Sequence, residues 1–143
     1  MFMAEWENIP NQDIIDNSFG FIYRIIHISS DMKYIGKKQF HSKTRKPPLK
    51  GKKRKRIIIK ESDWRNYYSS SEEFKYLWEK DGPDAFRREI LCTTSCAWEH
   101  MWLEHKYQID ENVLFRDDYV NGIIHIRLGR PPKALIDKYK INQ

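Results

Sequence analysis

Cysteine is scarce in this chain: Cys92 and Cys96 are the only two among 143 residues. A bridge between them would close a short local loop of little stabilising value, and two thiols alone do not complete a structural zinc set. Cys92, Cys96, His100 and Glu104 recur every four residues. Ligands stacked along one helix would span too far to converge on one ion, so two small thiols in ordinary register is the better reading. No apolar run approaches the ~20 residues of a membrane span. The opening MFMAEWENIP has no basic start, apolar block or small-residue cleavage site, so a soluble, intracellular (cytoplasmic) protein is expected. A Gly-rich phosphate loop and internal repeats are absent. EHMWLEH does not place two histidines four apart around a glutamate, which excludes the common zinc-protease pattern.

The most informative absence is of acid. From Lys43 to Lys60 there are ten lysines and arginines among eighteen residues and no aspartate or glutamate. The rest of the chain holds 16 basic against 20 acidic residues, a net charge of −4 within a total of +6. The positive charge is therefore one patch on a mildly acidic body. That distribution points to a polyanionic partner, nucleic acid first, while a solvated loop or an import signal such as KGKKRKR is the plainer reading. Hydrophobic residues at 40% and aromatics at 14% are those of a folded protein, and the length suits one domain.

Along the chain, residues 1–18 read as a loosely attached lead-in, 19–127 as the domain with a basic insertion at about 41–60, and 128–143 as a basic tail. Phe19 to Ile28 and Lys33 to Phe40 are strands rich in Phe, Ile and Tyr, and SSDM between them suits a hairpin. Pro47, Pro48 and Gly51 predict an extended loop over 41–56, and Ile57-Ile58-Ile59 has no clear assignment. Ser62-Asp63-Trp64 starts a short helix. Ser69 to Ser71 followed by Glu72 and Glu73 is a capping box for a helix that stops at Gly82. FRREIL is a third strand from Phe86. Thr94 or Ser95 caps a helix through about Asp110, with Trp98, Trp102, His105 and Ile109 on one stripe. Ile123 to Ile126 is a fourth short strand, and Pro131-Pro132 opens a final helix. Hairpin, helix, strand and helix in that order predict an α+β domain: a small three-stranded antiparallel sheet flanked by helices.

Side chains alternate faces along a strand, so parity decides whether Tyr23 and Tyr34 meet. With Ser29–Met32 as a four-residue loop, Ile28 pairs with Lys33 and His27 with Tyr34, and both tyrosines share a face. An odd-length loop would separate them, and two tyrosines on one face can also be plain core.

Phe21-Ile22-Tyr23, ten residues, then Tyr34-Ile35-Gly36 resembles the signature of the GIY-YIG nuclease superfamily. The resemblance continues through Gly82, FRREIL, a helix carrying a glutamate and a late asparagine, over roughly residues 19–122. In layout the chain is most similar to small stand-alone members and to the nuclease domains of phage-type homing endonucleases. Phe21 stands where the family often has glycine.

The resemblance implies a metal-dependent endonuclease that hydrolyses DNA phosphodiesters, duplex DNA being the expected partner. It gives the motif positions to Tyr23 and Tyr34, the metal-binding glutamate to Glu104 in WLEHKYQI, and the asparagine that follows to Asn121. The family's arginine falls on Arg45 by spacing or on Arg65 by context, with Arg54 and Arg56 as further alternatives. Tyr23 would activate or position the water with Tyr34 as its hydrogen-bonded partner, their acidity raised by Lys37, Lys38 and the metal. Glu104 would hold one Mg²⁺ (or Mn²⁺), with water and phosphate completing its octahedron. Lys37, Lys38, Lys50, Lys52, Lys53, Arg54, Lys55 and Arg56 are the expected nucleic-acid contacts, and His27 and His41 are candidate proton donors. Cutting both strands would require a homodimer or two successive events. The rival readings are a non-catalytic nucleic-acid-binding protein on the same scaffold and an RNA-directed nuclease.

Overall fold

The computed structural model describes residues 5–140. Its centre is strand β1 (Gly20–His27), flanked by β2 (Met32–Gln39) and β5 (Phe86–Thr94) in an antiparallel sheet of order β2-β1-β5. The expected sheet is present. β1 is buried along nearly its whole length, which explains why GFIYRIIH reads as a continuous apolar run rather than an alternating one. One face carries Phe21, Tyr23 and Ile25 into a cluster with Trp6, Phe40, Trp64, Phe74 and Phe86. The other carries Ile22, beside Ile35, Val113 and Tyr119, under helix α3 (Ala97–Asp110).

The hairpin differs by one residue on each strand from the sequence expectation. His27 pairs with Met32 and Ile25 with Tyr34, so the loop is Ile28–Asp31. Its length is still four, and the parity holds: Tyr23 and Tyr34 lie on the same face, with ring centroids 6.2 Å apart. A β-bulge between Ile22 and Tyr23 inserts Leu91 on the β5 side. Such a bulge increases local twist and re-aims the following side chain, here Tyr23.

Three expectations about segments are corrected. Residues 5–18 of the lead-in are attached: Trp6 is 4% and Ile15 2% exposed, Trp6 donates from Nε1 to the Trp64 carbonyl at 2.9 Å, and Glu7 forms a bridge with Glu89. Ile15 lies on the short helix α1 (Gln12–Asn17). The basic tract is a two-stranded ribbon, β3 (His41–Lys46) paired with β4 (Arg56–Glu61), rather than one long loop. β4 absorbs the three isoleucines, while Pro47, Pro48 and Gly51 occupy its turn, Gly51 at φ +83°. Residues 123–126 form no strand. As the reading of two ordinary thiols requires, Cys92 lies on β5 while α3 begins at Ala97, so the four-residue recurrence of Cys92 through Glu104 is not on one helix. Both thiols are free.

Helix α2 (Glu72–Asp81) starts at Ser71, whose Oγ accepts from the Phe74 amide, and ends at Gly82 with φ +82°. Since position three of this helix is Phe74, the cap is a serine cap without the reciprocal glutamate. The Ser62-Asp63-Trp64 start yields a single 3-10 turn, Trp64–Asn66, with Trp64 fully buried. In α3 the buried residues are Glu99, His100, His105 and Gln108, and Ile109 is 57% exposed. The expected stripe holds only in part: His105 is buried and Ile109 is not, while Leu103 and Tyr107 pack against the sheet. Helix α4 (Lys133–Lys138) closes the described chain. Among the described residues no helix is long and apolar enough to cross a membrane.

Candidate active site

The site forms at the outer edge of β2, where the aromatic face of the sheet meets the polar face of α3. An edge strand leaves alternate backbone groups unpaired. Here the segment after α3 covers them: the Lys33 amide donates to the Asp118 carbonyl and the Val120 amide to the Lys33 carbonyl, both at 2.8 Å. At Ile35 side chains take over. Asn121 accepts from the Ile35 amide at 3.1 Å and donates to its carbonyl at 2.9 Å. Gln108 donates to the same carbonyl at 3.0 Å. Asn121, which the family resemblance implies as a site residue, thus has both ends of its amide engaged by the strand that carries Tyr34.

Gly36 faces Tyr23 across the hairpin. A Cβ there would overlap the Tyr23 hydroxyl and lie 2.6 Å from its Cζ and 2.9 Å from Cε1 of Tyr34. The glycine of the second motif is therefore the slot through which the Tyr23 phenol passes. Tyr23 is fully buried, and among the described residues its hydroxyl makes no hydrogen bond of good geometry, though Tyr67 and Ser70 are the polar groups that act on it. Tyr67 stands edge-on to it, centroids 5.8 Å apart. Tyr34 is partly exposed, and its hydroxyl meets Ser70 Oγ at 3.0 Å.

A cleft of about 620 Å³ opens in front of Tyr34, lined also by Glu72, Glu104, His105, Gln108, Asn121 and His125. Glu104 lies on the inner half of α3, its side chain 15% exposed, with Lys37 Nζ at 3.9 Å and His105 Nε2 at 3.9 Å. Burial pushes the Glu104 carboxyl above the ordinary range, opposed by Lys37 and then His105. His105 is held by the carbonyls of Met101 and His125. Burial raises Tyr34 too, with Ser70 opposing it and the charge of Glu104 adding to the rise. Tyr23 is raised well above the usual phenol value by burial, then by Tyr67 and Tyr34.

The lysine pair therefore does not act on the tyrosines as expected. Lys37 turns to the opposite face, toward Glu104, as alternation requires. Lys38 is bound to Asp63 at 2.6 Å and lies 4.3 Å over the Tyr67 ring. Neither candidate arginine lines the cleft. Arg45 is exposed on β3, cross-strand from Ile57. Arg65 stacks 4.3 Å over Trp64 and bonds Glu61 Oε1 at 3.1 Å. His27 and His41 are also engaged elsewhere: His27 with Asp81 at 2.8 Å, His41 with the Ile15 carbonyl at 3.0 Å. Lys50, Lys52, Lys53, Arg54, Lys55 and Arg56 are all exposed at the ribbon's far end.

Ser70, Tyr67 and Gln108 escaped the reading of the sequence. Gln108 had a signal, since it follows Glu104 by four residues and shares its helix face. Ser70 and Tyr67 had none, because both lie in irregular chain. Arg88 holds that chain in place, donating to the carbonyls of Arg65 and Tyr67 at 3.0 and 2.8 Å.

A three-stranded antiparallel sheet with flanking helices, two tyrosines on one face of a hairpin and a helix glutamate at its edge is the GIY-YIG arrangement. Residues 4–124 match the family model described as "Putative endonuclease segE, GIY-YIG domain", and the chain belongs to the GIY-YIG nuclease superfamily. The match includes the Trp6 segment and the ribbon. No curated protein and no solved structure matches the chain.

Proposed function

We propose that the protein is a metal-dependent endonuclease hydrolysing phosphodiester bonds of duplex DNA. The observation that carries this reading is the shielded Glu104 carboxylate in the same cleft as Tyr34, with Lys37 beside it. The cleft suits a hard divalent ion. Glu104 supplies one carboxylate and Glu72 lines the same cleft, while no group of three His, Cys, Asp or Glu that could hold a metal occurs among the described residues. Water and substrate oxygens would fill the remaining positions, as Mg²⁺ or Mn²⁺ accepts. Bound there, the ion would stabilise negative charge on the phosphoryl and leaving oxygens.

The chain's own groups divide the rest of the work. Tyr34, held by Ser70, orients the attacking water at the cleft wall. Its hydroxyl, held by Ser70 at 3.0 Å on the cleft wall, acts through hydrogen bonding. Tyr23, behind it, fixes the ring position and fills the slot over Gly36, so burial exchanges the two roles expected from sequence. Lys37 supplies the cation beside the phosphate that the family's arginine would give. Asn121 and Gln108 position Tyr34 by clamping Ile35. One cleft serves one strand, so a double-strand break takes two copies or two events.

Supercoiled plasmid tests this reading. Wild type in Mg²⁺ or Mn²⁺ should nick or linearise it, and EDTA or Glu104→Gln should abolish cutting while leaving binding in place. Binding without cutting by purified wild type would favour the non-catalytic rival. Preferential cutting of single-stranded RNA would favour the RNA-directed one.

A further inference from the structure

The ribbon β3–β4 is covered by nothing in the described chain. From Lys43 through Lys60 every residue is exposed, and Ile57 and Ile59 are each 61% exposed. An isolated two-stranded ribbon is marginal in water, and three consecutive isoleucines on its second strand add apolar surface on both faces. Its root, in contrast, is fixed. Phe40 and Trp64 are fully buried on either side of it, Ser62 donates to the Phe40 carbonyl at 2.8 Å and its Oγ to the Gln39 carbonyl at 2.6 Å. The tip is closed by Arg56 donating to the Pro47 carbonyl at 3.2 Å. A projection fixed at its root and exposed at every residue from Lys43 through Lys60 is built to enter something.

Charge and shape choose the partner. From Lys43 to Lys60 the ribbon carries ten cations and no acid, its one carboxylate being Glu61 at the root, which fits a polyanion and opposes a second copy of the same ribbon. The register puts Lys43 opposite Ile59 and Arg45 opposite Ile57 on one face, and Thr44 opposite Ile58 and Lys46 opposite Arg56 on the other. Each face thus mixes cations with compact branched apolar groups. B-DNA's major groove admits a two-stranded ribbon and offers guanine N7 and O6 to arginine and thymine methyls to apolar groups. The minor groove is about half as wide and lacks the methyls.

Resting on the nuclease reading, we propose that the β3–β4 ribbon inserts into the major groove of duplex DNA and reads base edges with Arg45, Ile57 and Ile59. The Lys50–Arg56 turn grips the flanking phosphates. A second channel, lined by Lys37, Lys38, His41, Lys43 and His100, joins the ribbon's root to α3 and tracks the backbone between them. The eleven residues from Tyr34 to Arg45 span at most about 36 Å at ~3.3 Å each, so the cut lies to one side of the bases read, within about one helical turn.

The test needs no cleavage. Wild type and the triple variant Arg45→Ala, Ile57→Ser, Ile59→Ser are each used in EDTA to enrich duplexes from a randomised pool. Since the ribbon is outside the core, thermal melting should be unchanged, which separates a reading defect from unfolding. Wild type should enrich particular bases and the variant should enrich none. A duplex selected by wild type, remade with 7-deazaguanine and uracil, loses N7 and the methyls but keeps its backbone. It should bind wild type about tenfold or more weakly, the size of a lost bidentate contact, and the variant no differently. Identical preferences from both proteins, no enrichment by wild type, or equal wild-type affinity for the remade duplex would overturn the proposal. A failure of plasmid cleavage in Mg²⁺ by a wild type that still selects sequences would instead sink the nuclease reading alone.

Discussion

β2 and β3 are one stretch of chain, interrupted only at Phe40, yet they make opposite surfaces. On β2, Ile35 is fully buried, its outward backbone groups are occupied by Gln108 and Asn121, and its glycine is filled by a tyrosine ring. On β3 and β4 nearly everything is in solvent. Chemistry at a phosphate requires groups fixed to a fraction of an ångström, which only dense packing provides. Contact with a polyanion requires accessible charge on a firm stem. On the proposed function these tasks divide along a single hairpin extension, so substitutions in the two halves should fail in different ways.

The largest expected effect is at the cleft. Glu104→Gln should lower plasmid cleavage by about 10³-fold, equivalent to about 4 kcal/mol of transition-state stabilisation, with DNA affinity in EDTA unchanged. Tyr34→Phe should cost about 10²-fold in cleavage rate if its hydroxyl orients the water. An equal loss of DNA affinity in that variant would put Tyr34 on the binding side instead.

Packing changes come next. Gly36→Ala drives a methyl into the Tyr23 and Tyr34 rings, and a urea melt should show about 1–3 kcal/mol of lost stability. Asn121→Ala leaves the Ile35 amide without its partner and should cost a similar 1–3 kcal/mol, roughly the penalty for an unmet buried group. Tyr23→Phe removes a buried hydroxyl with no well-formed bond among the described residues, so it should cost less than Asn121→Ala, at most about 1 kcal/mol in the same melt. In the ribbon, replacing Lys52, Lys53, Arg54 and Lys55 by alanine should leave the melt alone. It should flatten the salt dependence of DNA binding by about 0.9 log unit per lost phosphate contact.

The smallest effect is a pH difference in metal-free protein. Glu104 is held above its ordinary value of 4.5 by burial. The folded state therefore binds more protons than the unfolded one in the window above pH 4.5, and stability falls as pH rises through it. Glu104→Gln removes that slope. Urea midpoints for the two proteins should converge at lower pH and separate, with the variant higher, once the carboxylate ionises.

The motif residues illustrate how far local reasoning reaches. The loop was misplaced by one residue on each strand, yet the pairing of the tyrosine faces survived because only its even length mattered. The ribbon was read as a loop since Pro47, Pro48 and Gly51 are turn signals, and β-propensity in Ile57–Ile59 was not joined to a partner across nine intervening residues. The α3 stripe fails at Ile109, because Leu103 and Tyr107 take the apolar contact with the sheet while Glu104 and Gln108 line the cleft. Trp6 looked loose because nothing near it in sequence contacts it; its partner is Trp64, 58 residues away.

Sequence alone determined the alternation of side chains, the helix stops and the concentration of charge between Lys43 and Lys60, because each depends on residues a few positions apart. Tertiary packing decided that Lys37 faces Glu104, that Asn121 and Gln108 converge on Ile35, and that neither Arg45 nor Arg65 reaches the cleft. Those distances join side chains on separate elements, and they follow from how α3 and the chain after it lie against the edge of β2, which no local pattern encodes.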